Sequence, residues 1–299
     1  RSKRSDHTKK QSPAPKQQRD DDAVIEPSLE TAQLFGVMAG AVREREAKIW
    51  VGTTGPAWVQ VTVEPLAGGT RKRSPRYRTR LNEGYQAIFP FKGLIPHTHY
   101  RYRVQLGKDT AKEEEGRFRT APNQDVPTRI AFSADIAKQP KFHGQMSLLT
   151  ASKSDLYLSL GDWPYADLGL PAMTIEDYRQ KHRQNREAPA IRSFMRSVAI
   201  HATWDDHEAV NDWDAGSESA WPNRIKAAKQ AWREGFPIAG APVGEIYRKH
   251  HWGPQIEIFI LDTRSHRDAN DSFPSDHKSM LGTKQRDWLL KGLSESKSA

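Results

Sequence analysis

The chain has 299 residues, 36% hydrophobic and 28% charged, with a formal net charge of +9 and no cysteine. That length supports one large domain or two smaller ones with their own cores. Without cysteine, disulfide frameworks, zinc fingers and thiol nucleophiles are excluded, and no apolar run is long enough to span a bilayer.

The positive excess is unevenly placed. Arg1, Lys3, Arg4, Lys9, Lys10, Lys16 and Arg19 lie in a Pro/Gln/Ser-rich start with almost no apolar residues. Residues 1–32 therefore read as a disordered basic segment. A second basic cluster, 71–80, lies between strand-like stretches and reads as a solvated hairpin region, with attraction to polyanionic surfaces as its other use. No specific nucleic-acid recognition is expected.

From 33 to 122 the sequence alternates in short runs: 47–51, 58–63, 85–89 and 98–104, separated by Gly/Pro-containing turns at 54–56, 66–69 and 93–96. That pattern predicts an all-β N-terminal sandwich. The phrase from Gly93 to Val104 resembles the turn and following strand of fibronectin type III-like modules, and its His97 and His99 read as turn and surface residues. The stretch 113–120 supplies the last strand, and 121–127 reads as a linker. From 128 to 299 the pattern changes. Strands are expected at 129–135, 155–162, 198–204 and 256–262, and helices at 141–152, 174–195 (interrupted by Pro189) and 223–235. Alternation at this spacing predicts an α/β sheet with many parallel strands.

All four of those strands end in acid: Asp135, Asp162, Asp205 with Asp206, and Asp262. In α/β sheets ligands bind beyond the carboxyl ends of the strands, so parallel strands would gather these carboxylates on one rim. Asp205-Asp206-His207-Glu208, followed by Asn211 and Asp212, is the densest group. So many charges at the end of a buried strand call for a cation with oxygen ligands, with the imidazole beside it for proton transfer. Plainer readings remain for each. The group could be an acidic surface turn, Asp135 could cap the following helix, and Asp162 could sit in a tight Gly/Pro turn. Asp262 reads as a support, pairing with Arg264 through a bidentate ion pair. Tyr165, three residues after Asp162, is either rim packing or a phenolate ligand to a hard trivalent ion.

Gly161-Asp162 with Tyr165, then Trp204-Asp205-Asp206-His207-Glu208 with Asn211-Asp212, then Leu261-Asp262-Thr263-Arg264, together resemble the alkaline phosphatase D (PhoD-like) family. That family is a branch of the calcineurin-like metallophosphoesterases. The resemblance runs from about Gln33 to the end. It implies an α/β metallophosphoesterase domain (an αββα sandwich) after the β-sandwich. It implies a metal-dependent phosphoesterase that hydrolyses phosphate mono- or diesters with a metal-activated hydroxide. Asp162 would bridge two metals, Asp206 and Tyr165 would be further ligands, and Asn211 another ligand or support. His207 would contact phosphate and assist the leaving group, with Asp205 or Glu208 orienting its ring. The metals implied are iron with calcium, with zinc, manganese or magnesium in relatives.

Asp135 stands where many members carry cysteine, matching the wider superfamily's first motif. The family continues well beyond the phrase 281–289, with late metal ligands, so the domain is expected to be C-terminally incomplete. A catalytically inert fragment or binding protein is the alternative. His250 and His251 fall too early to be those ligands. His182, Arg183, Arg186 and Arg264 could contact an anion, although the first three suit an exposed helical face equally. Zero cysteine and the family together point to a secreted, periplasmic or cell-surface protein. The sequence carries no signal for oligomeric state.

Overall fold

The computed structural model describes residues 32–107, 113–137 and 143–298, so the expected disorder of residues 1–32 falls almost wholly outside the described residues. Its strands are β1 (Leu34–Gly40), β2 (Glu46–Thr53), β3 (Trp58–Pro65), β4 (Lys72–Arg73), β5 (Tyr77–Arg78), β6 (Gln86–Lys92), β7 (His99–Leu106), β8 (Glu113–Arg119), β9 (Ile130–Ser133), β10 (Leu156–Ser159), β11 (Ala199–Ala202), β12 (Arg248–Trp252) and β13 (Ile256–Ile260). The helices are α1 (His143–Ala151), α2 (Ile175–Arg186), α3 (Pro189–Met195), α4 (Ala215–Ala220), α5 (Pro222–Gly235) and α6 (Gly282–Glu295).

One mixed six-stranded sheet, β6-β2-β1-β11-β10-β9, runs across the stretch 121–127, joining strands from both halves of the sequence. β1 pairs parallel with β11, and β2 and β6 continue antiparallel on its other side. Alternation along the strand, shifted on β1 by an irregularity between Leu34 and Gly36, then feeds two cores at once. On β1, Phe35 and Met38 join the core under the helices, while Leu34, Val37 and Ala39 face the second sheet. On β2, Trp50 points to the helices, and Ala47, Ile49 and Val51 point away. Burial on both faces explains why β1 is apolar or small throughout. The second sheet, β4-β3-β7-β8 with β5 also on β3, packs over the far face, with β4 and β5 carrying the basic cluster along its edge. The architecture is thus a mostly β N-terminal part followed by an α/β part.

The helix expected over 174–195 divides at Pro189, which occupies the first turn of α3, where its missing N–H costs nothing. Thr174 and Asp177 form a reciprocal capping box on α2. The fourth predicted strand departs from expectation. β13 is not in the parallel sheet but forms an antiparallel hairpin with β12. Only three residues, 253–255, separate β12 from β13 at their paired ends (Trp252 against Ile256), so a tight local hairpin outcompetes a crossover. No helix among the described residues is long and apolar enough to cross a membrane.

Candidate metal centre

β9, β10 and β11 run parallel and in register, with Ser133, Ser159 and Ala202 level at their carboxyl ends. Asp135, Asp162, Asp205 and Asp206 follow within a few residues, so the three strand ends open onto one rim. The loops turn sharply there. Asp135 and Asp162 take left-handed φ angles of 63° and 56°, a conformation that Asp tolerates better than most residues. Gly161, at φ 121°, lies so close to the 205 loop that a Cβ would sit 2.7 Å from the Asp205 amide nitrogen. Only glycine fits that approach.

Oxygen and nitrogen atoms of Asp162, Asp206 and His207 lie within 4.8 Å of one another. Asp162 is buried, and it accepts a long hydrogen bond from the His207 amide, 3.4 Å, and one from the Tyr165 hydroxyl. Its pKa is pushed up to about 6, by burial first, with the neighbouring Asp206 and Asp205 charges adding to it against Tyr165 and His207. Asp206 differs. Burial disfavours its charge, but the Asp212 amide (2.6 Å), Arg264 and His207 outweigh that and hold it below the usual carboxylate range. The Tyr165 hydroxyl donates to Asp135 at 2.5 Å, and burial together with that bond raises its pKa. The Tyr165 ring stands 4.4 Å from the His207 ring, centroid to centroid. Asp135 therefore binds the site's tyrosine rather than capping α1, which begins eight residues later.

The partner of His207 is Asp167, which reading the sequence missed. Both Asp167 carboxylate oxygens lie 2.9 Å from His207 Nδ1, leaving Nε2 for the site. Burial alone would lower the His207 pKa, but Asp167, then Asp162 and Asp206, raise it. Neither Asp205 nor Glu208 orients the ring. Asp205 receives Arg264 Nε at 2.6 Å, and Glu208, 2% exposed, accepts the Trp163 and Asp205 amides at 2.8 and 3.0 Å. Glu208 is thus a brace between the two acid-bearing loops, with its pKa pushed up to about 8 by burial first. The one hint of Asp167 in the sequence is that it is the next acid after Asp162 on the same loop.

Other predicted residues fall outside the cluster. Asn211 is exposed, turns its side-chain amide to Asp212 (2.7 Å), and gives its main-chain N–H to Asp167. Asp262 does not hold the Arg264 guanidinium. Its Oδ1 accepts the Trp204 indole and the amides of Arg264 and Ser265, because the backbone turns back over the carboxylate immediately after β13. Arg264 instead reaches Asp205, with Asp206 3.6 Å away. His182 and Arg186 are buried under the sheet, Arg186 stacked 4.4 Å from the Trp50 ring, and neither lies on an exposed helical face. Arg183 pairs with Glu187 on the surface. His250 is buried and packs against His201.

Layers of this kind, with carboxylates gathered beyond parallel strand ends, match the folds of solved phosphatases. The structure superposes on a solved structure of PhoD with a TM-score of 0.78 (23% identity, 88% of this chain, 60% of that one). On purple acid phosphatase PPD1 from yellow lupin seeds the TM-score is 0.58 (15% identity, 87% of this chain, 48% of that one). The chain belongs to the PhoD-like phosphatase family, whose signature matches residues 143–299. Residues 31–124 match a domain of unknown function, DUF7800. Alkaline phosphatase D of Bacillus subtilis (strain 168) is 28% identical over 296 residues, which cover 80% of this chain and 51% of that protein. The chain thus spans about half the length of that curated relative.

Proposed function

We propose that the chain is a metal-dependent phosphoesterase acting on phosphate mono- or diesters. The observation that carries this is the convergence of Asp162, Asp206 and His207 at the ends of parallel strands, with Asp167 behind His207. A cation fits these residues, since Asp162 is buried beside Asp206 and Asp205 and burial disfavours its charge. Asp135, Asp162, Tyr165 and Asp206 would hold the ions, as hard oxygen donors suited to iron and calcium. Bound there, the ions would supply Lewis-acid charge for the phosphoryl oxygens and make water nucleophilic at neutral pH.

The chain's own residues do the rest. Asp167 fixes the His207 ring through Nδ1, so a proton held at Nε2 can be given to the departing oxygen. Arg264 anchors Asp205 and stands beside Asp206, keeping the 205–208 loop in place. A cleft of about 440 Å³ beside Tyr165, lined by Pro164, Leu168, Leu170, Pro171 and Lys181, would take the alcohol portion of the ester. Zero cysteine fits an exported enzyme, and a location outside the cytoplasm is part of the proposal.

Turnover of an aryl phosphate and a bis-aryl phosphate diester, measured with a panel of metals on the wild type and Asp162→Asn, tests the reading. Metal-dependent hydrolysis lost in the variant supports it, and equal rates in both proteins refute it. Binding without turnover is the second reading. It is favoured by the donor count, because Asp135, Asp162, Tyr165, Asp206 and His207 do not complete the shells of two ions, calcium alone preferring about six to eight oxygens. Metal retained with no hydrolysis of either ester would favour it.

A further inference from the structure

We propose that Glu245, Asp262 and His266 form a separate cation site suited to Zn²⁺, which clamps the loop that carries Arg264. One ligand atom from each of the three lies within 4.8 Å of the other two. His266 Nε2 faces Glu245 Oε2 at 2.8 Å. Asp262 is 1% exposed; its Oδ1 takes three N–H donors, whereas its Oδ2 is buried with no hydrogen-bond partner. A buried carboxylate oxygen without a partner is costly and rare in folded proteins.

The positive groups nearby do not settle the charge. The Arg233 guanidinium lies over the Trp204 ring, bonds the Gly244 carbonyl and acts on both Asp262 and Glu245. Arg264 is turned the other way, onto Asp205. One guanidinium against two carboxylates leaves a negative charge for His266 or a metal ion to balance.

The imidazole is also fixed in place. The Tyr247 ring stands edge-on at 6.0 Å, and Gly282 packs so closely that a Cβ there would lie 3.1 Å from the His266 Cβ. Glu245 and His266 side chains keep 26% and 29% of their exposure, so a hydrated ion can reach them. One imidazole and two carboxylates, with water in the fourth position, is a donor set that tetrahedral Zn²⁺ accepts. The ion would tie Glu245 to the turn 262–266, and through that turn hold Arg264 against Asp205.

The test is a zinc count per chain by elemental analysis, after chelator treatment, reloading with Zn²⁺ and gel filtration. Co²⁺ in place of Zn²⁺ gives a visible band that reports the ligands directly. His266→Ala and Glu245→Gln should each lose one equivalent of zinc and the corresponding Co²⁺ band relative to wild type, a loss additional to any that Asp162→Asn causes at its own cluster. Glu245→Gln alters a partly exposed side chain and serves where His266→Ala does not fold. Zinc content and Co²⁺ spectrum unchanged in both His266→Ala and Glu245→Gln would overturn the proposal and leave a charge network closed by Arg233. Because these readouts are independent of turnover, they stand or fall separately from the phosphoesterase reading.

Discussion

Replacing Glu208 with glutamine exchanges a buried carboxylate for a neutral side chain of the same shape, at a point where two loops are joined. In the wild type, Glu208 takes the Trp163 amide on one oxygen and the Asp205 amide on the other. Glutamine keeps one acceptor and turns its NH₂ toward the other N–H, leaving a donor unpaired at a cost of about 1–3 kcal/mol. Charge works in the opposite direction. Burial pushes the Glu208 pKa from 4.5 to about 8, so the folded protein binds a proton that the unfolded chain has released across that window. The folded state then holds more protons, and stability falls as pH rises from 4.5 to about 8. At about 1.4 kcal/mol per pH unit that amounts to as much as about 5 kcal/mol, a loss the glutamine variant does not suffer. The expected outcome is a crossing. Glu208→Gln should be less stable than wild type near pH 5 and equal or more stable near pH 8, in urea denaturation of metal-free protein. A stability difference that stays constant between those two pH values would refute the claim that burial dominates at Glu208.

Three further perturbations follow from the geometry. Asp167→Asn should lower the pH at which His207 titrates in an NMR titration of metal-free protein, and reduce ester turnover by roughly 10²-fold or more if His207 handles the leaving-group proton. Because the His207 pKa is raised in the fold, its stabilising contribution is full below 6.5 and is lost as pH rises through the raised value, so this variant should flatten that limb of the stability profile. Gly161→Ala should cost about 2–5 kcal/mol in denaturant melts, from the collision with the Asp205 backbone added to a φ of 121°. Arg186, buried between Trp50 and Phe236 with Nε and Nη1 lacking partners, should tolerate methionine at a cost under about 1.5 kcal/mol, whereas alanine should cost about 2–5 kcal/mol.

What the sequence made legible, and what it hid, follows from how far each feature depends on the path of a loop. Asp162, Asp205 and Asp206 could be placed on one rim because period-2 apolar runs mark where strands stop, and parallel register does the rest. The pairing of β1 with β11 could not be read, since it joins Ala39 to Ala199 across the whole intervening chain and leaves no local signal. Nor could the division of labour among the acids. Glu208 sits one residue from His207, yet braces Trp163; Asp167 lies forty residues away, yet holds the imidazole. Those partnerships are decided by the left-handed turns at Asp135 and Asp162 and by the contact that Gly161 permits. Asp262 shows the same rule from the other side. Its place after an apolar strand was visible, but the chain folds back over it, so three N–H groups occupy one oxygen and the guanidinium two residues on is sent to Asp205 instead. Strand ends bring the carboxylates together, and the turns that follow decide which of them keeps an oxygen free for a cation.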